Sequence, residues 1–273
     1  MVPIDVVKLF IRCGIKNRVG NNIGNGLYCG GLLLKDLHGD IPIKIIFRRV
    51  LFMKSSKDTK TIFDLDPKSI LWQKLCLVAK ATYLAIHGIP YHDETISDIP
   101  LVHAIIECGA QSSIVKYALQ LHPDQLFLRD IDGRVPLSIA SAKVDTNPDI
   151  FHILLDRSEG VDYEKLHSRS CDSSSIIVQR VRTSTASMAD IHGRLPLHLA
   201  VSSGRTWNNG VHLIASAAPL ALQTRDTKSG MYPFMLASIP NYKWDNTCID
   251  TIYSLIREAP HVLKRYCNRN EEK

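Results

Sequence analysis

No two of the seven cysteines (Cys13, Cys29, Cys76, Cys108, Cys171, Cys248 and Cys267) form a CxxC pair, and their number is odd. That argues against a disulfide framework or a clustered zinc site and fits reduced, mostly buried thiols. No apolar run is long enough to cross a bilayer: Ile70–Ile86 is interrupted by Lys74 and Lys80. A secretory leader is not expected, because Asp5 and Lys8 break any apolar stretch near Met1. The expected compartment is therefore cytoplasm or nucleus. No GxSxG is present, and no copy of any segment alternates β-branched residues over the length of a true strand. The reading is all-α.

Charge is uneven. Residues 1–60 hold eleven Lys and Arg against four Asp and Glu, a net +7, while the whole chain carries +6. This basic part allows association with nucleic acid as a rival function, although no aromatic or arginine stripe accompanies it and nucleic acid is not the expected partner.

What the sequence does have is one stretch in several copies. Asp190-Ile191-His192-Gly193-Arg194-Leu195-Pro196-Leu197-His198-Leu199-Ala200 reads as a tight turn feeding a short helix. Gly193 supplies the positive φ of the turn, and Pro196 suits the first helical position, where no N–H is needed. Asp36–Ile43 and Asp130–Ala140 repeat it, Asp226–Ala237 repeats it with one extra turn residue, and Ile99–Ala104 keeps the helix start but has Ser97 in place of glycine. Longer helices follow, running from Ile114 to Pro123, Val211 to Pro219 and Ile252 to Pro260, with Leu126, Leu222 and Leu263 three residues beyond each proline. Proline must end those helices. An amphipathic helix is predicted over Met1–Cys13, and another from Pro67 with Asp66 as its cap.

Prolines 42, 100, 136, 196 and 233 lie 58, 36, 60 and 37 residues apart. The short spacings fit one helix pair each; the long ones hold an insertion as well. The expected organisation is one solenoid over 1–273, with units starting near 36, 98, 130, 190 and 226. Insertions are expected at about 54–67 and 158–185, the second including a polar loop at Arg169–Ser175.

These Asp-x-x-Gly-x-x-Pro-Leu-x-x-Ala stretches resemble ankyrin repeats, and Pro196-Leu197-His198-Leu199-Ala200 is nearest their consensus. Leu71–Cys76, Ser203–Trp207, Ala218–Asp226 and Tyr232–Ala237 are similar to the divergent ankyrin-like proteins abundant in diatoms. The resemblance implies an ankyrin-like α-solenoid of stacked helix pairs with irregular repeats, and a role in binding other proteins. The Thr before the consensus proline is replaced by Ile41, Ile99, Val135, Leu195 and Tyr232, and the His survives only at His198. Those departures predict hairpin loops less regular than in ankyrin proteins.

The expected function is a non-enzymatic interaction scaffold with a protein partner and no cofactor. Its contacts are expected at the turn tips His38, Asp40, Asp132, Arg134, His192, Arg194 and Lys228, which leave the body of the fold and are free to vary. A nucleotide-dependent switch or enzyme would use the Gly-rich segment 20–31, but Gly26 is followed by Leu27-Tyr28 rather than the Lys-Ser/Thr of a phosphate loop. His87, His92, Asp93 and Glu94 are candidate metal ligands, although Gly88 and Pro90 keep the two histidines off one helical face. No catalytic, cofactor or metal residue is assigned. Arg180–Thr185 places hydroxyls after basic residues, as a kinase site would. His198 is expected to hold turn backbone, and Trp72, Trp207 and Trp244 to pack at helix-pair ends. At the N-terminus, Val7, Phe10 and Ile11 lack a capping neighbour, which predicts a truncated chain or a docking face.

Overall fold

The computed structural model describes residues 3–17, 22–24, 27–28, 30–52, 66–159, 184–239 and 246–263. The expected insertions fall for the most part outside them, as do Arg169–Ser175 and Trp244. The described chain is all-helical apart from one short antiparallel ribbon, β1 (Asn22–Gly24) with β2 (Leu27–Tyr28). Two compact units make it up, Met1–Gln125 and Leu126–Lys273.

In the first unit, α1 (Ile4–Lys16) packs against β2 and α3 (Ile70–Ile86), and α3 also meets α2 (Pro42–Phe52), α4 (Asp93–Asp98) and α5 (Leu101–Glu107). α2 buries Ile43, Phe47 and Val50, one helical stripe at i, i+4 and i+7. α3 begins at Ile70, capped by Ser69, whose hydroxyl accepts the Trp72 N–H at 3.3 Å. The predicted cap Asp66 instead closes a preceding turn through the Lys68 N–H at 2.8 Å. The shift follows from capping geometry: the serine oxygen reaches an N–H inside the first turn, while Asp66 spends its carboxylate outside it. α5 pairs with α6 (Ser112–Leu121), which ends before Pro123.

The second unit contains α7 (Pro136–Ala142), α8 (Pro148–Glu159), α9 (Pro196–Ser202), α10 (His212–Ala217), α11 (Pro233–Ala237) and α12 (Asn246–Glu258). Short helices α7, α9 and α11 lie side by side, and α8 packs on α7 and α10. α7 buries residues 136–141 and α9 residues 196–201. A short helix covered all round needs small residues where its neighbours approach, and Ala140 and Ala200 are wholly buried there.

Arg205 fastens two loops of the second unit. It is only 2 % exposed, and among the described residues no carboxylate forms a salt bridge with it. Its guanidinium donates to the carbonyls of Thr146 at 3.0 Å, Asn209 at 2.8 Å and Lys143, and lies 4.7 Å over the Phe151 ring. Burial lowers its pKa to about 10, so it keeps its charge at neutral pH. It ties the loop after α7 to the loop after α9.

Candidate interaction surface

Three turns share one bonding scheme, and a fourth varies it. The Asp36 carboxylate accepts the N–H groups of His38 at 2.8 Å and Asp40 at 2.9 Å. Asp130 accepts those of Asp132 at 3.0 Å and Arg134 at 2.8 Å, and Asp190 those of His192 at 2.9 Å and Arg194 at 2.8 Å. In each case the Asp N–H returns to the carbonyl four residues on at 3.0 Å. The fourth turn is one residue longer: Asp226 takes the Ser229 N–H at 3.0 Å and its hydroxyl at 2.7 Å, and its own N–H donates to the Met231 carbonyl at 2.8 Å. Irregular loops were expected from the missing Thr and His; these four turns are regular because an Asp carboxylate and a positive-φ glycine make them, whereas the copy with Ser97 in place of glycine enters its helix from α4 instead.

Within the second unit these turns lie on one another. Ile191 donates its N–H to the Asp132 carbonyl at 3.1 Å, and the Thr227 hydroxyl donates to the His192 carbonyl. A Cβ on Gly133 would stand 2.7 Å from the Ile191 side chain, and one on Gly193 2.8 Å from Thr227. Glycine there serves both φ and close approach. Arg129 bridges the same joint, donating to Gly133 at 2.8 Å and to Ala189.

His198 completes the arrangement. Its Nδ1 accepts the Leu195 N–H at 3.1 Å, so Nε2 carries the proton and donates to the Thr224 carbonyl 3.0 Å away. This one ring caps α9 and holds the approach to the next turn, the structural role expected of it. Burial pushes its pKa down, against the Thr224 hydrogen bond and the Asp226 charge. Burial alone would raise the Asp226 pKa, but hydrogen bonds from Ser229 and the charges of Arg194 and His198 hold it below the ordinary carboxylate range.

The tip residues divide unequally. His38, His192 and Lys228 are exposed. Asp132 is part-buried. Arg134 folds back onto Asp130 at 2.8 Å and Asp132 at 3.0 Å. Arg194 reaches Asp226 at 3.0 Å and Ser202 at 3.0 Å. Asp40 is buried and paired with Arg48. Four of the seven, Asp40, Asp132, Arg134 and Arg194, are therefore turn-holding groups rather than free tips, because each has an opposite charge within reach. Beside the exposed His38, His192 and Lys228, aliphatic side chains project too. Leu37 is fully exposed, Ile131 61 % and Ile191 63 %, all at the second position of the turn. Sequence reasoning passed over them by looking for polar contacts; the repeated aliphatic at a position that faces away from the body was the signal.

The other candidates take structural places. Gly30 of the Gly-rich segment sits against α1: a Cβ on it would stand 2.9 Å from the Ile11 carbonyl, and one on Gly14 2.8 Å from the Gly30 carbonyl. His92 precedes α4 and donates its N–H to Thr95 at 3.0 Å, while the His87 ring lies 4.3 Å from that of Tyr83. Among the described residues no group of three His, Cys, Asp or Glu side chains could hold a metal ion. Thr185 is fully buried in a 3-10 turn, which takes it out of the expected kinase segment; Thr183 lies outside the described residues. Trp72 packs edge-on against Tyr117 at 4.8 Å, and the backbone N–H of Trp207 donates to the Thr251 hydroxyl at 2.9 Å. Burial raises the Cys76 pKa to about 12, which leaves that thiol unreactive. Among the described residues no helix is long and apolar enough to cross a membrane.

No protein-family model matches the chain, and no match was found among curated proteins or among solved structures.

Proposed function

We propose that this chain is a divergent ankyrin-type solenoid that works as a non-enzymatic protein-binding scaffold in the cytoplasm or nucleus, and that its partner lies across the turn tips. The observation that carries the reading is the aliphatic residue at the same outward turn position in three copies: Leu37, Ile131 and Ile191. Such a position costs nothing to fill with a polar residue, so large aliphatics repeated there favour a contact surface. In the second unit Ile131 and Ile191 sit on turns bonded to each other, which gives a partner two apolar contacts on a rigid base. His192 and Lys228 form its polar rim. The matching turns and the side-by-side short helices support the ankyrin-type reading.

The test is affinity capture from the native cell with the wild-type chain and with the Ile131→Asp/Ile191→Asp variant. Partners held by the wild type are expected to be lost from a variant whose melting temperature is unchanged. Retention of every partner would remove the tips as the contact. Charge reversal at Arg134 or Arg194 is a poorer probe, because both residues hold their turns.

A further inference from the structure

In the first unit α2 turns a basic face outward. Its described exposed side chains are Lys44, Ile45, Arg48 and Arg49, at i, i+1, i+4 and i+5. They lie together on the side away from the buried Ile43, Phe47 and Val50. α2 carries no Asp or Glu. Arg48 reaches back to Asp40, so this face adjoins the Asp36–Asp40 turn, where Lys35, Leu37 and His38 are exposed. Both acids of that turn are engaged: Asp40 by Arg48, and Asp36 by the N–H groups of His38 and Asp40. Among the described residues Lys35, Lys44 and Arg49 form no salt bridge.

These charges work against the helix that carries them. Lys44 stands in its first turn, where the dipole favours an acid, and it repels Arg48 one turn on. Packing requires no cation at Lys44 or Arg49, since neither side chain is buried. An anionic group laid across the face offsets the repulsion. What stands among the cations decides its chemistry. Ile45, 39 % exposed, lies between Arg48 and Arg49 on the face, and Leu37 projects from the adjoining turn. A phosphate backbone offers those aliphatics no apolar cover, and the face holds no aromatic ring for a base to stack on. An anionic bilayer reached by Leu37 would also meet the exposed Asp36 beside it. A polypeptide supplies carboxylates and aliphatics together. Resting on the protein-binding reading above, we infer that this face of α2 and the turn before it take an acidic, aliphatic-containing segment of a partner protein. Its Asp and Glu meet Lys35, Lys44 and Arg49, and its aliphatics meet Leu37 and Ile45.

Fluorescence anisotropy of the full chain with a short labelled peptide of repeated Glu-Asp-Leu tests this. Binding is expected with a Kd of about 10–100 μM at low salt, weakening as salt is raised. A peptide with serine in place of leucine is expected to bind several-fold more weakly, and one with lysine in place of the acids not at all. Lys44→Glu is expected to weaken binding about tenfold. It should also raise the melting temperature by about 1–3 °C, because it replaces a charge opposed to the helix dipole with one that suits it. Leu37→Ser/Ile45→Ser is expected to bring binding down to the level of the leucine-free peptide. The peptide and salt comparisons need no variant, so misfolding of one leaves the test intact. No binding of the acidic peptide, binding indifferent to Lys44, or tighter binding of duplex DNA or of phosphatidylserine vesicles overturns the inference. Partner capture that depends on Ile131 and Ile191, with no binding of the peptide, overturns this inference and leaves the protein-binding reading standing. Peptide binding with capture indifferent to those two residues removes the second unit's tips and supports the acidic-segment site.

Discussion

The backbone N–H of Ile191 donates to the carbonyl of Asp132 at 3.1 Å, so two turns some sixty residues apart in sequence are laid against each other. Gly133 lies at that contact with φ of +69°, and an added Cβ would come 2.7 Å from the Ile191 side chain and 2.9 Å from its nitrogen. Gly230 has the same kind of φ with nothing within 4 Å of its missing Cβ. Gly133→Ala is therefore expected to cost about 2–3 kcal/mol, from the left-handed backbone and the clash together. Gly230→Ala should cost only about 1 kcal/mol, from the backbone alone. Urea unfolding of the two variants checks the difference. Equal losses would mean that the turns do not press on one another.

His198 makes stability depend on pH in a stated direction. Burial lowers its pKa in the folded chain, so the unfolded chain, with an ordinary histidine, binds a proton first as pH falls. The stabilisation is complete above about pH 6.5 and is lost as pH drops through the folded value. Protonation also removes the Nδ1 acceptor that the Leu195 N–H requires. His198→Asn is expected to lower stability at pH 7.5 by about 1–3 kcal/mol and to flatten the fall between pH 7 and 5. Chemical unfolding at several pH values reads both effects. An unchanged slope would show that another group titrates.

Arg194 and Asp226 join successive turns by a part-buried ion pair, with side chains 20 % and 3 % exposed. Because the Asp226 pKa is held low, its stabilisation is present above the ordinary carboxylate range and fades as pH falls through the folded value. A double-mutant cycle with Arg194→Ala and Asp226→Ala is expected to give a coupling energy of about 1–2 kcal/mol at pH 7. That coupling should fade as pH falls below the ordinary carboxylate range and through the folded value of Asp226. A coupling near zero at pH 7 would mean that Ser229 alone satisfies Asp226.

Arg205 is the largest of the fully buried side chains. Arg205→Met keeps much of its bulk but leaves the carbonyls of Lys143, Thr146 and Asn209 without their donor. A loss of about 3 kcal/mol is expected, with faster amide exchange in the loop after α7. A neutral substitution would show that those carbonyls find water instead.

Much of the fold is legible in the sequence. Pro42, Pro136, Pro196 and Pro233 open helices where their ring demands it, and Asp-x-x-Gly specifies its turn by two residues alone. His198 could be placed because its ring has one geometry that serves both a helix start and a nearby carbonyl. What could not be read depends on partners distant in sequence. Nothing near Arg205 says that it will reach residues 143 and 146. Local pattern puts Arg134 and Arg194 at turn ends, but only the packed structure folds them back onto Asp130 and Asp226. The same limit hid the tips' real character: once Arg134 and Arg194 are engaged, Ile131 and Ile191 face outward beside His192 and Lys228.

A photo-crosslinking amino acid tests the central claim most directly. It would be placed at Ile191 and, as a control, at Tyr253, which is 65 % exposed on α12. In native lysate the account expects a partner adduct from position 191, competed away by unlabelled wild-type chain, and none from position 253. Adducts from position 253 with none from 191 would contradict it, and the contact surface would then lie on the long helices rather than on the turns.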